Sequence, residues 1–207
     1  MQLPSDAEIF RKFPMSARPD VARTAIAWNG IIGFLLRQEF AVLYRTAFTA
    51  PEGAKFLEIG SFFGLSSAIT ATAFRDAENH SAHLHCVDLW EEYFGASLDK
   101  FQANCESAQV LPWISAYKES SRTVGERFAE KTFDVVFIDG DHSYEGCLAD
   151  LRATLPLVKP GGKIIGHDYA PYSMPVVNAV QEFLPEAPGA TFSAPEAGSS
   201  IFTIQLP

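Results

Sequence analysis

Five short apolar runs, at 55–59, 83–88, 112–117, 133–139 and 162–167, alternate with stretches of helical spacing such as Tyr144, Leu148, Leu151 and Leu155. Runs this short and bounded by turn residues read as strands. Strands separated by helices can pair only through crossovers, so they form a parallel sheet with helices on both faces. The 133–138 run is apolar on both faces, as a central parallel strand should be. Ser173 and Pro175 open a further helix over 174–184, with Val176, Val177, Val180 and Leu184 inward. The tail then changes character. Runs at 190–193 and 200–205, separated by Pro195, Gly198 and Ser199, predict a closing hairpin, so a terminal strand runs antiparallel to the rest.

At 207 residues the chain is read as one domain. Residues 1–50 are expected to form an N-terminal helical cap belonging to that domain, with 51–207 as the α/β part. Helical periodicity runs from about Asp20 to Phe48, weakened near Asn29-Gly30 and Gly33. Ile32, Leu35, Leu36, Phe40, Leu43 and Ala47 form its apolar stripe, which is read as core packing in preference to a substrate lid. The net charge of −9, with dispersed Lys and Arg, disfavours nucleic acid as partner. The longest membrane-like run, 31–36, ends at Arg37 and falls far short of the ~20 residues of a spanning helix. The N-terminus lacks the basic and apolar regions of a signal peptide. Three cysteines, Cys86, Cys105 and Cys147, fit no zinc spacing and are read as reduced structural thiols. A cytoplasmic protein with no membrane partner is expected.

The junction Phe56-Leu57-Glu58-Ile59-Gly60-Ser61-Phe62-Phe63-Gly64-Leu65-Ser66 is a strand, an acid, a glycine turn and a helix start. Gly60 permits a tight turn and close backbone approach; Gly64 permits close helix packing. A dinucleotide loop would carry a third glycine. Here Phe62 and Phe63 would crowd a pyrophosphate, and Glu58 would repel it. A carboxylate at Glu58 suits a cationic amino-acid end instead. Asp88 ends the second strand, where a carboxylate accepts from both ribose hydroxyls, and Leu89 and Trp90 would pack on an adenine. Ser120 could line the adenine pocket or cap a helix.

These residues fall in order with Ile138-Asp139-Gly140-Asp141-His142-Ser143-Tyr144-Glu145-Gly146 and with Leu157-Val158-Lys159-Pro160-Gly161-Gly162-Lys163-Ile164-Ile165-Gly166-His167-Asp168. Over about residues 54–170 the set resembles a class I S-adenosylmethionine-dependent methyltransferase. More narrowly it is similar to the small D-G-D-H-x-Y-E family that groups with sugar and macrolide O-methyltransferases. The resemblance implies a Rossmann-like, doubly wound sheet with an antiparallel C-terminal strand. It implies S-adenosylmethionine held by Glu58, Gly60, Ser61, Phe62, Gly64, Ser66, Asp88, Leu89, Ser120 and Asp139. The expected partner is a small hydroxylated acceptor, a sugar or natural product; a homo-oligomer is left open.

Asp139 ends one strand and His167-Asp168 the next, on the crevice side of the sheet. Metal-dependent relatives of the resembled family place ligands at positions matching Asp139, His167 and Asp168. The resemblance therefore implies Mg²⁺ or Mn²⁺ there, although His167, where such enzymes more often carry an acid, shifts the preference towards Mn²⁺, Fe²⁺ or Zn²⁺, or signals no ion. His142 is the expected general base, because an imidazole titrates near neutrality; Asp141 would orient it, and Asp139 completes the catalytic set. Capping of the helix starting near Ser143 is the competing reading for Asp141 and His142. His83 and His85 share a strand face but lack a third ligand, and Cys147 reads as packing. Tyr93, Phe94, Tyr169 and Tyr172 are candidate pocket walls. Two other functions compete with methyl transfer: an NAD(P)-linked enzyme on a related sheet, and a non-catalytic methyltransferase-like binding module. N- and C-methylation stay open, though the Asn-Pro signature of base N-methylation is absent.

Overall fold

The computed structural model describes residues 2–91 and 93–207, and by its contacts the chain divides into two compact units interleaved in sequence. One comprises residues through Ala54, Ser61–Leu84 and Trp90–Ala116; the other comprises Lys55–Gly60, His85–Leu89 and Tyr117–Pro207.

The first unit holds helices α1 (Asp6–Lys12), α2 (Arg37–Phe48), α3 (Leu65–Asp76) and α4 (Leu98–Ser107). Between α1 and α2 lies a small antiparallel sheet of β1 (Ser16–Ala17), β2 (Ile26–Trp28) and β3 (Ile31–Gly33). The helices expected at the N-terminus are present, but the helical periodicity from Asp20 is wrong as far as Gly33. Asn29 (φ 50°) and Gly30 (φ 80°) both adopt left-handed backbone. That pair makes the tight hairpin whose twist suits two short strands. Phe40, Leu43 and Ala47 of the predicted stripe are buried on α2, Ile32 lies in β3, and Leu36 is exposed. Gly33 lies so close to Leu65 that a Cβ there would meet its Cδ2 at 2.5 Å. Asp76 on α3 accepts the Tyr44 hydroxyl at 2.7 Å and pairs with Lys12, tying α1, α2 and α3 together.

A seven-stranded, mostly parallel sheet lies largely in the second unit. Its strands are β4 (Lys55–Ile59), β5 (His83–Asp88), β6 (Ile114–Lys118), β7 (Phe133–Ile138), β8 (Val158–Gly166), β9 (Thr191–Ser193) and β10 (Phe202–Gln205), in the order β6-β5-β4-β7-β8-β10-β9. β4 and β8 run parallel to β7; β10 runs antiparallel to β8 and β9, as the hairpin-like tail predicts. The strand expected at 162–167 begins earlier, at Val158, and includes the Lys159-Pro160-Gly161-Gly162 turn. Helices α5 (Val124–Arg127), α6 (Tyr144–Thr154) and α7 (Met174–Phe183) complete the unit. Leu57, Val136, Ile164, Leu151, Val180 and Phe202 are among the side chains of one buried core, each at 1% exposure or less. Among the described residues no helix is long and apolar enough to cross a membrane.

Candidate active site at the carboxyl ends of β4, β7 and β8

β4 and β7 are the neighbours at which the strand order turns back, so the crevice beyond their carboxyl ends is the natural ligand site of an open α/β sheet. Gly60 and Asp139 meet there. The Asp139 amide donates to Ile59 O at 2.8 Å, and Gly60 N donates to Val87 O at 2.9 Å. Gly60 has φ 85°, and a Cβ on it would lie 2.1 Å from Asp139 O. The close approach expected of Gly60 is therefore made first by the backbone at Asp139.

Asp139 and His167 follow paired positions, Ile138 and Gly166, of adjacent parallel strands, and the ladder continues through His167 N to Ile138 O at 3.0 Å. Their side chains consequently stand side by side, with His167 Nδ1 3.3 Å from Asp139 Oδ1. Successive strand residues point to opposite faces. Asp168 escapes that alternation because its φ is 61°, a conformation that short polar residues tolerate better than most. Its amide is held by Ser200 Oγ at 3.1 Å, and its Oδ1 lies 3.5 Å from His167 Nδ1. From the β7 loop, His142 Nε2 reaches both Asp139 Oδ1 at 3.2 Å and Asp168 Oδ2 at 2.9 Å. Tyr172, 71% exposed, donates its hydroxyl to Asp168 Oδ1 at 3.2 Å.

Thus Asp139, His142, His167 and Asp168 form one cluster whose donor atoms all lie within 4.8 Å of one another. The sequence grouped Asp139, His167 and Asp168 as ligands but set His142 apart as a base. Hydrogen bonds to Asp139 and Asp168 raise the His142 pKa to about 10, against the opposing effect of burial. In this arrangement it carries a proton at neutral pH, which the expected general base would first have to give up. Burial opposes ionisation of Asp139 and Asp168, yet the two imidazoles hold both carboxyls below the usual range. The orienting role expected of Asp141 is also displaced. Its Oδ1 accepts the Ser143 amide at 2.8 Å, and its carboxylate lies against Gly146 on α6. Asp141 therefore supports the helix start beside the N-cap Ser143, whose Oγ accepts Gly146 N at 3.0 Å.

The candidate cofactor residues distribute as follows. In the second unit Glu58 is 1% exposed on β4, and its Oε2 accepts the Cys86 thiol at 3.4 Å. Asp88 ends β5 half-buried, and Leu89 beyond it is 47% exposed. Ser120 caps a 3-10 turn, its Oγ accepting Arg122 N at 3.2 Å. In the first unit Ser61 O accepts Gly64 N at 2.7 Å. Phe62 has φ 49° and packs its ring against Phe34 and Tyr93. Gly64 has φ 90°, and a Cβ there would meet the Phe101 ring at 3.0 Å; Ser66 is buried in the first turn of α3. Trp90 does not lie open to an adenine: it is buried on Phe101 and donates its indole N–H to Phe62 O at 2.8 Å. Tyr169 is half-buried and packs its ring against Phe192 and Phe202. His83 and His85 pair with Ser115 Oγ and Tyr117 OH, and burial pushes the Cys147 thiol up to about 12, which removes it as a nucleophile.

A strand-order reversal with a glycine–acid contact at its crest and an antiparallel closing strand defines a class I methyltransferase fold. A methyltransferase-domain family model matches residues 57–169, more than half of the chain, and the chain belongs to that family. It is similar to an uncharacterised protein, R132, of Acanthamoeba polyphaga mimivirus, at 25% identity over 73% of this chain and 71% of that one. Its fold matches an O-methyltransferase from Bacillus cereus solved with S-adenosylhomocysteine, at TM-score 0.64 and 20% identity, covering 81% of this chain and 79% of that one. It also matches the O-methyltransferase TomG from Streptomyces achromogenes, involved in tomaymycin synthesis and solved with S-adenosylmethionine. There the TM-score is 0.64 and the identity 19%, covering 97% of this chain and 86% of that one.

Proposed function

We propose that this chain is an S-adenosylmethionine-dependent O-methyltransferase for a small hydroxylated metabolite, assisted by a divalent metal. The observation that carries the reading is the Asp139–His142–His167–Asp168 cluster, whose Asp139 is the residue that meets Gly60 at the strand-order reversal. The natural-product context of TomG supports a small-molecule acceptor.

The residues fit the donor. Glu58 offers a buried carboxylate for a cationic amino-acid end, and Asp88 offers one at a strand end for ribose hydroxyls. When bound, S-adenosylmethionine supplies an electrophilic methyl group on sulfonium. The residues fit a metal as well. The four His–Asp separations in the cluster, 2.9 to 3.5 Å, are close to the about 3.0–3.4 Å between neighbouring ligands of a cation with bonds near 2.1 Å, and all four donor atoms lie within 4.8 Å of one another. A donor set of two imidazoles and two carboxylates favours Mn²⁺, Fe²⁺ or Zn²⁺ over Mg²⁺. When bound, the metal supplies a Lewis acid that lowers an acceptor hydroxyl's pKa. The proton on His142 and a cation compete for the same place, so loading the site releases that proton. His167 is buried and Asp168 is fixed by Ser200, so two of the four groups are preorganised. Tyr172, open to solvent beside Asp168, is placed to meet the acceptor. We also propose an intracellular setting, in keeping with Cys86, Cys105 and Cys147 being buried, reduced thiols.

Calorimetric titration with S-adenosylhomocysteine should register binding that Asp88→Ala abolishes. Methyl transfer to a panel of hydroxylated small molecules should fall on chelation and return with Mn²⁺. Absence of any heat with wild-type protein would overturn the cofactor reading; chelator-insensitive transfer would overturn the metal.

A further inference from the structure

One buried acid takes no part in that chemistry. Asp150 lies on α6 at 4% exposure. Its Oδ1 accepts the Ser121 hydroxyl at 2.5 Å, and the Asp141 backbone N–H lies near enough to its carboxylate to favour the ionised form. A Cβ on Gly140 would stand 2.9 Å from Asp150 Oδ2, so the carboxylate rests against the Gly140 backbone. One side chain therefore spans two loops. The first, after β6, carries Ser120 and Ser121; the second, after β7, carries Asp139 through His142. A buried carboxylate is a costly way to join loops if stability is the only gain, because desolvation outweighs hydrogen bonds from two neutral donors. What a carboxylate provides is two acceptor oxygens on one rigid group, so that a shift of either donor is felt by the other.

We infer that Asp150 is a positioning residue coupling occupancy of the Ser120–Ser121 turn to the placement of Asp139 and His142. This rests on the cofactor reading above, in which that turn borders the adenine. Through Asp150, adenine binding would set the methyl-transfer cluster in place before an acceptor arrives.

Adenosine is the probe, because it occupies the adenine and ribose end and lacks the sulfonium end. The readout is the His142 ring Cε1–H signal in nuclear magnetic resonance, assigned by its loss in His142→Gln. In wild-type protein adenosine should move that signal. In Asp150→Leu, which removes both acceptor oxygens and holds neither loop, adenosine affinity should stay within about threefold while the signal no longer moves. Ser121→Ala, which frees one end of the bridge, should do the same and carries the test if Asp150→Leu fails to fold by circular dichroism. A signal that stays still in wild-type protein carrying bound adenosine, or that moves equally in both variants, overturns the coupling. If neither adenosine nor S-adenosylhomocysteine gives heat with wild-type protein, the cofactor reading itself fails and the coupling falls with it.

Discussion

Gly60 shows how one missing methyl group can decide a site. Its φ of 85° is a conformation that costs an L-residue about 1–2 kcal/mol, and a Cβ would lie 2.1 Å from the Asp139 carbonyl. Backbone cannot swing aside as a flexible side chain can, so an overpacking cost of about 1–3 kcal/mol is added. Gly60→Ala should lower the melting temperature by roughly 5–15 °C, since 1 kcal/mol is about 2–4 °C in a chain of this size. Gly161→Ala shares the left-handed φ, at 72°, but meets nothing within 4 Å, and should lose less, about 2–8 °C. Equal losses in a calorimetric scan would contradict the contact. Asp150 makes a second case. Burial raises its pKa from the usual 3.8 to about 6. The folded pKa lies above the unfolded one, so the protonated acid's contribution is fully present below about pH 4 and is lost as pH rises through about 6. Asp150→Asn removes the charged form that the fold disfavours. The melting temperature of this variant minus that of wild type should be more positive at about pH 8 than at about pH 5. A pH-independent difference would refute this. Sequence made Gly60 legible, because glycine before a helix has few other uses. Asp150 was invisible, because an acid on an amphipathic helix reads as solvent-facing until the fold buries it.

At the scale of elements, the strands were legible where the pattern was long or closed by unambiguous turn residues. β4, β5 and β7 match the apolar runs, and α7 begins at the Ser173–Pro175 signal. The N-terminal strands were not, because three residues cannot display a period of two against a background that also fits 3.6. The available signal was Asn29-Gly30, a pair that favours two successive left-handed residues. It was read as a weakened helix because apolar residues flank it on both sides. If that turn specifies the β2–β3 register, Gly30→Val should strip hydrogen-exchange protection from Ala27 and Ile32 and leave Val136 on β7 protected. Loss of protection at Val136 as well would show that the hairpin does not open as a local unit. The same scale explains His142. Sequence placed it in a loop after a strand, but only the αL turn at Asp168 brings the far carboxylate round to it.

Stability belongs to the whole chain, and there the cluster at the β7 and β8 ends has its plainest consequence. His142 has a folded pKa of about 10, above its ordinary 6.5, because Asp139 and Asp168 hold its proton. Between those values the native state binds a proton that the unfolded chain does not. That contribution is complete below about pH 6.5 and fades as pH rises through about 10. Metal-free protein should therefore lose melting temperature from about pH 7 to 9.5, and His142→Gln should flatten the loss. The depressed carboxyls of Asp139 and Asp168 act only in the acid range, and the buried Cys147 thiol, raised to about 12, adds to the loss only near the window's upper end. A bound divalent cation flattens the slope, since binding to the native state alone stabilises it, and the cation must first displace the proton. Mn²⁺ should raise the melting temperature more at about pH 8.5 than at about pH 6.5, with about one proton released on titration at either pH, since both lie below the folded pKa of about 10. His142→Gln should abolish that pH dependence while retaining weak binding through the other three ligands. A Mn²⁺ shift independent of pH in wild-type protein would mean that metal and proton do not share the cluster, and that His142 serves as a fixed counter-ion to its two acids.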